Sequence, residues 1–196
     1  MNCGFRILYG YTQSDEISLL FHRDETLFDR KLRKYNSVLA GEASAAFSLR
    51  LGAHACLDCR ISQLPTEQLV VDYFRWRQED ATRNALSAHC YWLLRKEGKS
   101  VKDATSALLR LSVADKNELL FERGINFGRL PNWQKRGVGV YWEQYEKEGF
   151  NPKAGKATKA LRQRLKVDLE LPMKENYESF IRERLRSNSP DAPSKA

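Results

Sequence analysis

The segment FRILYGYTQSDEISLLF constrains this chain most. Two β-rich runs, Phe5–Tyr11 and Ile17–Phe21, flank a short polar stretch. They read as two strands, or as one long bent strand, with a tight connection. The period then changes. Between Arg30 and Leu51 the apolar residues Leu32, Tyr35, Leu39, Ala43 and Ala46 recur at steps of three and four, the spacing of an amphipathic helix. Pro65 closes a loop. Leu69–Lys96 reads as a second long helix, with Ala81, Ala85, Ala88 and Trp92 as its packing stripe and Gly98 as its stop. Ser100 and Ser112 can cap two further helices, through Leu111 and Phe121, and Gly124 ends the second. Val138–Trp142 is a short strand. After Gly149 charges fall at nearly every second position, and Lys156–Val167 and Lys174–Arg186 are read as basic, exposed helices. Short strands beside long helices predict an α+β fold.

The 196 residues suffice for one domain with a real core. No run of about 18 apolar residues is present, so no membrane span is expected. Met1–Gly10 does not read as a signal peptide, and a cytoplasmic protein is expected. The net charge of +8 favours a polyanionic partner, most often nucleic acid. Cys3, Cys56, Cys59 and Cys90 are expected as free thiols. A zinc site from Cys56, Cys59, His89 and Cys90 is disfavoured because its second pair is adjacent in sequence. Ser-His-Asp, GxGxxG and P-loop arrangements are absent from the sequence.

Four clusters can carry chemistry. In Ser14-Asp15-Glu16, acids interrupt a strand pattern. Neighbouring side chains on an extended chain point to opposite faces, so only one of Asp15 and Glu16 can reach a given site. One such carboxylate can anchor magnesium, but two-metal phosphoryl chemistry needs a second from elsewhere. A solvated turn explains the same residues. Arg30, Lys31 and Lys34 open the first long helix. Cations there suit a triphosphate held at a helix N-terminus, or a solvated basic turn. Arg77, Asp80 and Asn84 share one face of the second helix, as a buried network or a substrate-facing surface. Lys116, Asn117 and Glu118, with the loops at Gly124–Phe127 and Lys135–Gly137, suit phosphate or base contacts, or ordinary helix-end chemistry.

In order, these pieces resemble the tRNA-His guanylyltransferases and their Thg1-like relatives. Six collinear blocks carry the resemblance: YGYTQSDEISLLF (9–21), FDRKLRK (28–34), LDCRISQLP (57–65), DYFRWRQED (72–80), ADKNELLFERGINF (114–127) and QKRGVGVYW (134–142). The resemblance implies a polymerase-palm-like antiparallel sheet packed by long helices, with a charged helical C-terminal extension. It implies a palm-like catalytic domain at 1–149, incomplete at its N-terminus, a basic helical segment at 150–187 and a disordered tail at 188–196. It also implies magnesium-dependent 3′-to-5′ addition of a nucleotide to the 5′ end of tRNA, using two Mg2+ ions, GTP and in some members ATP. The nucleotide's 3′-hydroxyl is the nucleophile, the RNA 5′ phosphate the electrophile, and pyrophosphate leaves.

By this resemblance Asp15 is a metal ligand and catalytic, and Glu16 supports the site. Ser14, Arg30, Lys31, Lys34, Lys116 and Asn117 bind nucleotide, and Asn84, Lys135 and Arg136 contact tRNA. A homodimer or homotetramer is expected. Two departures stand out. The family begins with a strand bearing a DGRGFH-like motif and another metal-binding Asp, whereas this sequence opens at the following strand. A late recorded start or a truncation is expected, with a catalytically inactive tRNA-binding remnant as the alternative. The family's HINNLYN-like run is here Thr82–Ala88, keeping one Asn and the Leu. That resembles the branch that repairs 5′-truncated tRNAs and weighs against strict tRNA-His recognition.

Overall fold

The computed structural model describes residues 4–151 and 156–187, and the tail expected at 188–196 lies outside them. Strands β1 (Ile7–Gln13) and β2 (Glu16–Phe21) form a hairpin, resolving the first segment as two strands rather than one. On its other edge β1 pairs with β3 (Val138–Asn151), which pairs in turn with β4 (Lys156–Asp168). The sheet is antiparallel throughout, in the order β2-β1-β3-β4. The helices are α1 (Leu32–Leu51), α2 (Glu67–Lys96), α3 (Val101–Leu108), α4 (Val113–Phe121), α5 (Asn132–Arg136) and α6 (Glu175–Arg186). The α+β expectation holds. No described helix is long and apolar enough to cross a membrane.

Local signals place the helix starts. The hydroxyls of Thr66, Ser100 and Ser112 accept backbone N–H groups at the first turns of α2, α3 and α4. At Ser112 the Asp115 carboxylate returns the bond to the cap's own N–H, satisfying two donors that a helix end leaves free.

Residues 156–168 correct the sequence reading, because they form a strand and not a helix. Alternating charge is itself a strand's period of two. Lys156, Arg162, Arg164 and Lys166 lie on one face of the ribbon, and Leu161, Leu165 and Val167 on the other. Lysine and arginine favour helices locally, but β3 supplies partners that no local rule sees. Glu143 pairs with Arg164 at 2.6 Å and Lys166 at 3.6 Å, and Glu146 with Lys159 at 3.0 Å. The strand expected at Val138–Trp142 is accordingly longer, and the β3–β4 ribbon crosses the boundary expected at 149/150. The helix expected at Lys174–Arg186 is present as α6.

One sheet face carries Tyr9, Tyr11, Leu20 and Tyr141 against Val71, Phe74 and Ala81 of α2 and Tyr177 and Ile181 of α6. A smaller cluster seats Phe5 and Ile7 on Tyr35 and Leu39 of α1. A third joins Leu86 and Cys90 of α2 to Leu120 of α4. The α2 stripe is therefore half as expected. Ala81 and Ala85 are buried, whereas Ala88 is exposed and Trp92 is 60% exposed. Past Ala85 the helix leaves the sheet and turns Leu86 and Cys90 to α4 instead. Gly137, between α5 and β3, has φ +75°, and a Cβ there would lie 2.7 Å from Thr12 O and the Tyr11 ring. Only glycine takes both that backbone and that approach.

Burial pushes the phenols of Tyr9, Tyr11 and Tyr177 above their ordinary value. A raised folded pKa means that the stability held by the neutral phenols is fully present below about pH 10, the unfolded value. It is lost as pH rises toward the folded values. The expected result is cooperative alkaline unfolding above about pH 10. Phenolate absorbance and loss of helical circular dichroism should rise together. Ionisation of the buried Tyr9, Tyr11 and Tyr177 phenols in a chain that stays folded would contradict it.

Candidate functional site

Ser14 and Asp15 are the two-residue turn between β1 and β2, and Gln13 pairs with Glu16 beneath it. The acids thus sit at a hairpin tip rather than inside a strand. Ser14 takes φ +56°, a left-handed conformation that an L-residue adopts at a cost. Asp15 is exposed at the tip. Glu16, the first residue of β2, forms an ion pair with the Arg77 guanidinium from α2. Thr12 Oγ1 donates to Glu16 O at 3.0 Å.

Arg77 lies on the face of α2 turned to this tip. Its side chain is 12% exposed, and its guanidinium lies over the Trp76 ring at 5.1 Å. One turn along, Asp80 accepts from Asn84 Nδ2 at 3.0 Å and Arg83 Nη2 at 3.2 Å. The Tyr11 phenol, under the tip, feels both groups: Arg77 lowers its pKa and Asp80 raises it, each less than burial does. The Tyr11 hydroxyl and Arg77 Nε are buried with no partner among the described residues. The structure thus joins the Ser14–Glu16 cluster to the Arg77–Asp80–Asn84 face. The pair at its centre, Glu16 and Arg77, is 61 positions apart in sequence, and no local pattern links the two.

The expected triphosphate cations lie elsewhere. Arg30 and Lys31 precede α1, so Arg30 and Lys34 do not share a helical face as expected. Arg30 has φ +55° and donates to Arg23 O at 3.0 Å, while Lys31 pairs with Asp29 at 3.0 Å. This group adjoins the Phe5–Phe21 end of the hairpin, the opposite end of β2 from Asp15. Six residues of strand put about 17 Å between those ends.

Further along α2, Lys116 Nζ donates to Ser87 Oγ at 3.0 Å. Asn117 Nδ2 donates to Val113 O at 2.8 Å. Asn117 also lines a cleft of about 350 Å³ with Phe121, Ile125, Asn126 and Phe127. Phe121 is the cleft residue that local patterns miss, because α4 must fold back on the following loop to bring it beside Asn126.

Lys135 and Arg136, the expected RNA contacts, are both engaged within the chain. Lys135 is 7% exposed and its ammonium donates to Gly128 O at 2.6 Å. Burial and then Arg136 push its pKa down. Arg136 Nη1 donates to Leu171 O at 3.0 Å. Both are struts that tie the α5 loop down, a role a basic tripeptide does not reveal. Lys135→Met should lower the melting temperature by roughly 2–8 °C, an effect of about 1–2 kcal/mol. It should leave the salt dependence of RNA binding unchanged. A phosphate contact would instead reduce that slope by about one.

No group of three or more His, Cys, Asp or Glu among the described residues could hold a metal ion. Asp15 offers one exposed carboxylate, and Glu16 is engaged by Arg77. The described donors do not fit a complete two-ion site. The zinc arrangement is not formed either: Cys56 is exposed and Cys90 is buried, its thiol donating to Lys116 O.

Residues 68–180 match the family profile described as Thg1 C terminal domain, and residues 1–66 that of tRNAHis guanylyltransferase. A tRNA(His) guanylyltransferase from Debaryomyces hansenii is 33% identical over 178 residues, covering 84% of this chain and 67% of the relative. A probable tRNA(His) guanylyltransferase from Drosophila melanogaster is 33% identical over 142 residues, 67% of this chain and 50% of the relative. The chain thus spans about half the length of that relative. Among solved structures, a bacterial Thg1-like protein in complex with GTP superposes at a TM-score of 0.62 with 28% identity, covering 94% of this chain and 72% of that one. The Saccharomyces cerevisiae tRNA(His) guanylyltransferase does so at 0.62 with 26% identity, covering 69% and 65%.

Proposed function

Because the chain belongs to the tRNA(His) guanylyltransferase (Thg1) family, we propose that it acts in adding a guanylyl nucleotide to the 5′ end of tRNA. The observation that carries this reading is the hairpin tip: the family's acidic turn is presented to solvent and braced by α2, beside the polar Asp80–Asn84 face. GTP as the nucleotide is supported by the bacterial Thg1-like relative solved with it.

In the proposed reaction the GTP 3′-oxygen forms a bond to the α-phosphorus of an RNA 5′-triphosphate. The phosphorus–oxygen bond to the pyrophosphate leaving group breaks, and the 3′-hydroxyl proton passes to solvent. The chain's part is placement. It aims Asp15 at the reacting phosphates and offers Asn84 and the Asn117–Asn126 cleft to nucleotide or RNA. Holding two reactants in line is a large share of catalysis in phosphoryl transfer. Magnesium, when bound, would neutralise phosphate charge. The described residues supply one free carboxylate toward it, that of Asp15.

That single carboxylate favours a second reading, RNA binding without turnover. The test is incorporation of labelled GTP, with magnesium, into a 5′-truncated tRNA that bears a 5′-triphosphate. Labelled product supports nucleotide addition. Salt-sensitive tRNA binding with no product at any magnesium concentration supports the second reading.

A further inference from the structure

We infer that Arg77 is a positioning residue for the hairpin tip: it holds Glu16 so that the turn, left-handed at Ser14, keeps Asp15 presented to the substrate. The assignment to substrate rests on the nucleotide-addition reading; the mechanical role does not.

Three observations converge on it. The turn is strained at Ser14, with φ +56°, and such a turn persists only when its surroundings over-determine it. The strand ladder ends at the Gln13–Glu16 pair, so β-pairing alone leaves the tip free on α2's side. Arg77 spans that gap. Its side chain is largely buried while its partner Glu16 is 61% exposed, so the helix supplies the fixed end and the turn the movable one. The guanidinium is itself oriented by the Trp76 ring beneath it. It is engaged on Glu16, so it reaches Asp15 only through Glu16 and the turn. A planar fork suits that task better than an ammonium point charge.

The test compares wild type, Arg77→Lys, Arg77→Ala, Glu16→Ala and the Arg77→Ala/Glu16→Ala double variant. Hydrogen exchange is followed in the segment 11–21, and labelled GTP incorporation is measured alongside. Arg77→Ala is expected to speed exchange at residues 13–17 about tenfold or more while α2 and α6 keep their protection. Incorporation should fall roughly 10²-fold at unchanged tRNA affinity. Arg77→Lys should recover part of both. The double variant should be no worse than the worse single variant, since both changes remove one link. Losses that multiply would place Arg77 on the substrate and overturn the assignment. So would turn exchange that does not respond to Arg77→Ala. If wild type itself incorporates no nucleotide, the exchange experiment still decides the positioning role, and only the nucleotide-addition reading falls. Should Arg77→Ala fail to fold, Arg77→Lys and Glu16→Ala carry the comparison.

Discussion

Tyr177→Ala is expected to destabilise the fold by about 3–5 kcal/mol, the cost of truncating a large fully buried side chain. Tyr177 is 0% exposed, and its ring stacks on Phe180 with centroids 6.0 Å apart. Its hydroxyl meets that of Tyr9 at 3.0 Å, joining α6 to the central strand. Truncation opens a cavity where α2, α6 and the sheet meet, and strands a buried Tyr9 hydroxyl. At roughly 2–4 °C per kcal/mol for a chain of this size, the melting temperature should fall by about 6–20 °C. Tyr177→Phe separates the two contributions. It removes only the hydroxyl and should cost about 1 kcal/mol. Chemical denaturation of the three proteins checks the ordering. A Tyr177→Ala midpoint equal to wild type would mean that α6 does not dock on the sheet.

Asp15→Ala is expected to lower labelled GTP incorporation roughly 10²- to 10³-fold, the usual loss when one preorganised charge-stabilising group is removed from a reacting phosphate or acyl centre. Stability should change by less than about 0.5 kcal/mol, because the residue is exposed in a turn. Affinity for tRNA should hold or tighten slightly, since a negative charge is removed beside a polyanion. Single-turnover rates and a binding isotherm at one salt concentration check both halves. Full incorporation by the variant would remove Asp15 from the reacting centre. Equal loss of rate and of tRNA affinity would make it an RNA contact.

Glu16→Ala and Asp15→Ala differ in what they remove, although the residues are neighbours. Asp15 projects from the turn, while Glu16 is turned back onto α2 and Arg77. The alternation rule for adjacent strand acids does not produce that division, because Asp15 lies in the turn and only Glu16 is on a strand. It could not say which acid was the free one, because the answer depends on where α2 lies.

Much of this protein was legible before any coordinates. The hairpin, the two long helices and the serine-capped α3 and α4 follow from periods and caps that span one or two turns of chain. Six collinear blocks carried the family resemblance, and matches across residues 1–66 and 68–180 bear it out. What failed had one common cause. Residues 156–168 were read alone, and a basic run read alone favours a helix; the β3 carboxylates make it a strand. Only the fold shows that α5 packs on α2, where Thr82 Oγ1 donates to Lys135 O at 2.9 Å, and that the Lys135 ammonium is drawn inward to Gly128.

The sequence by itself determined what neighbours along the chain can decide: strand against helix over the hairpin and α1 to α4, where the capped helices start, and which family the blocks belong to. Only the tertiary structure decided which acid is free, which lysine is buried, and that the cations at 30–34 lie a strand's length from the turn they were expected to serve. The physical reason is range. Periods and caps act over a few residues, whereas the Glu16–Arg77 pair, the Lys135 strut and the β3–β4 ladder join residues that meet only after the chain has folded.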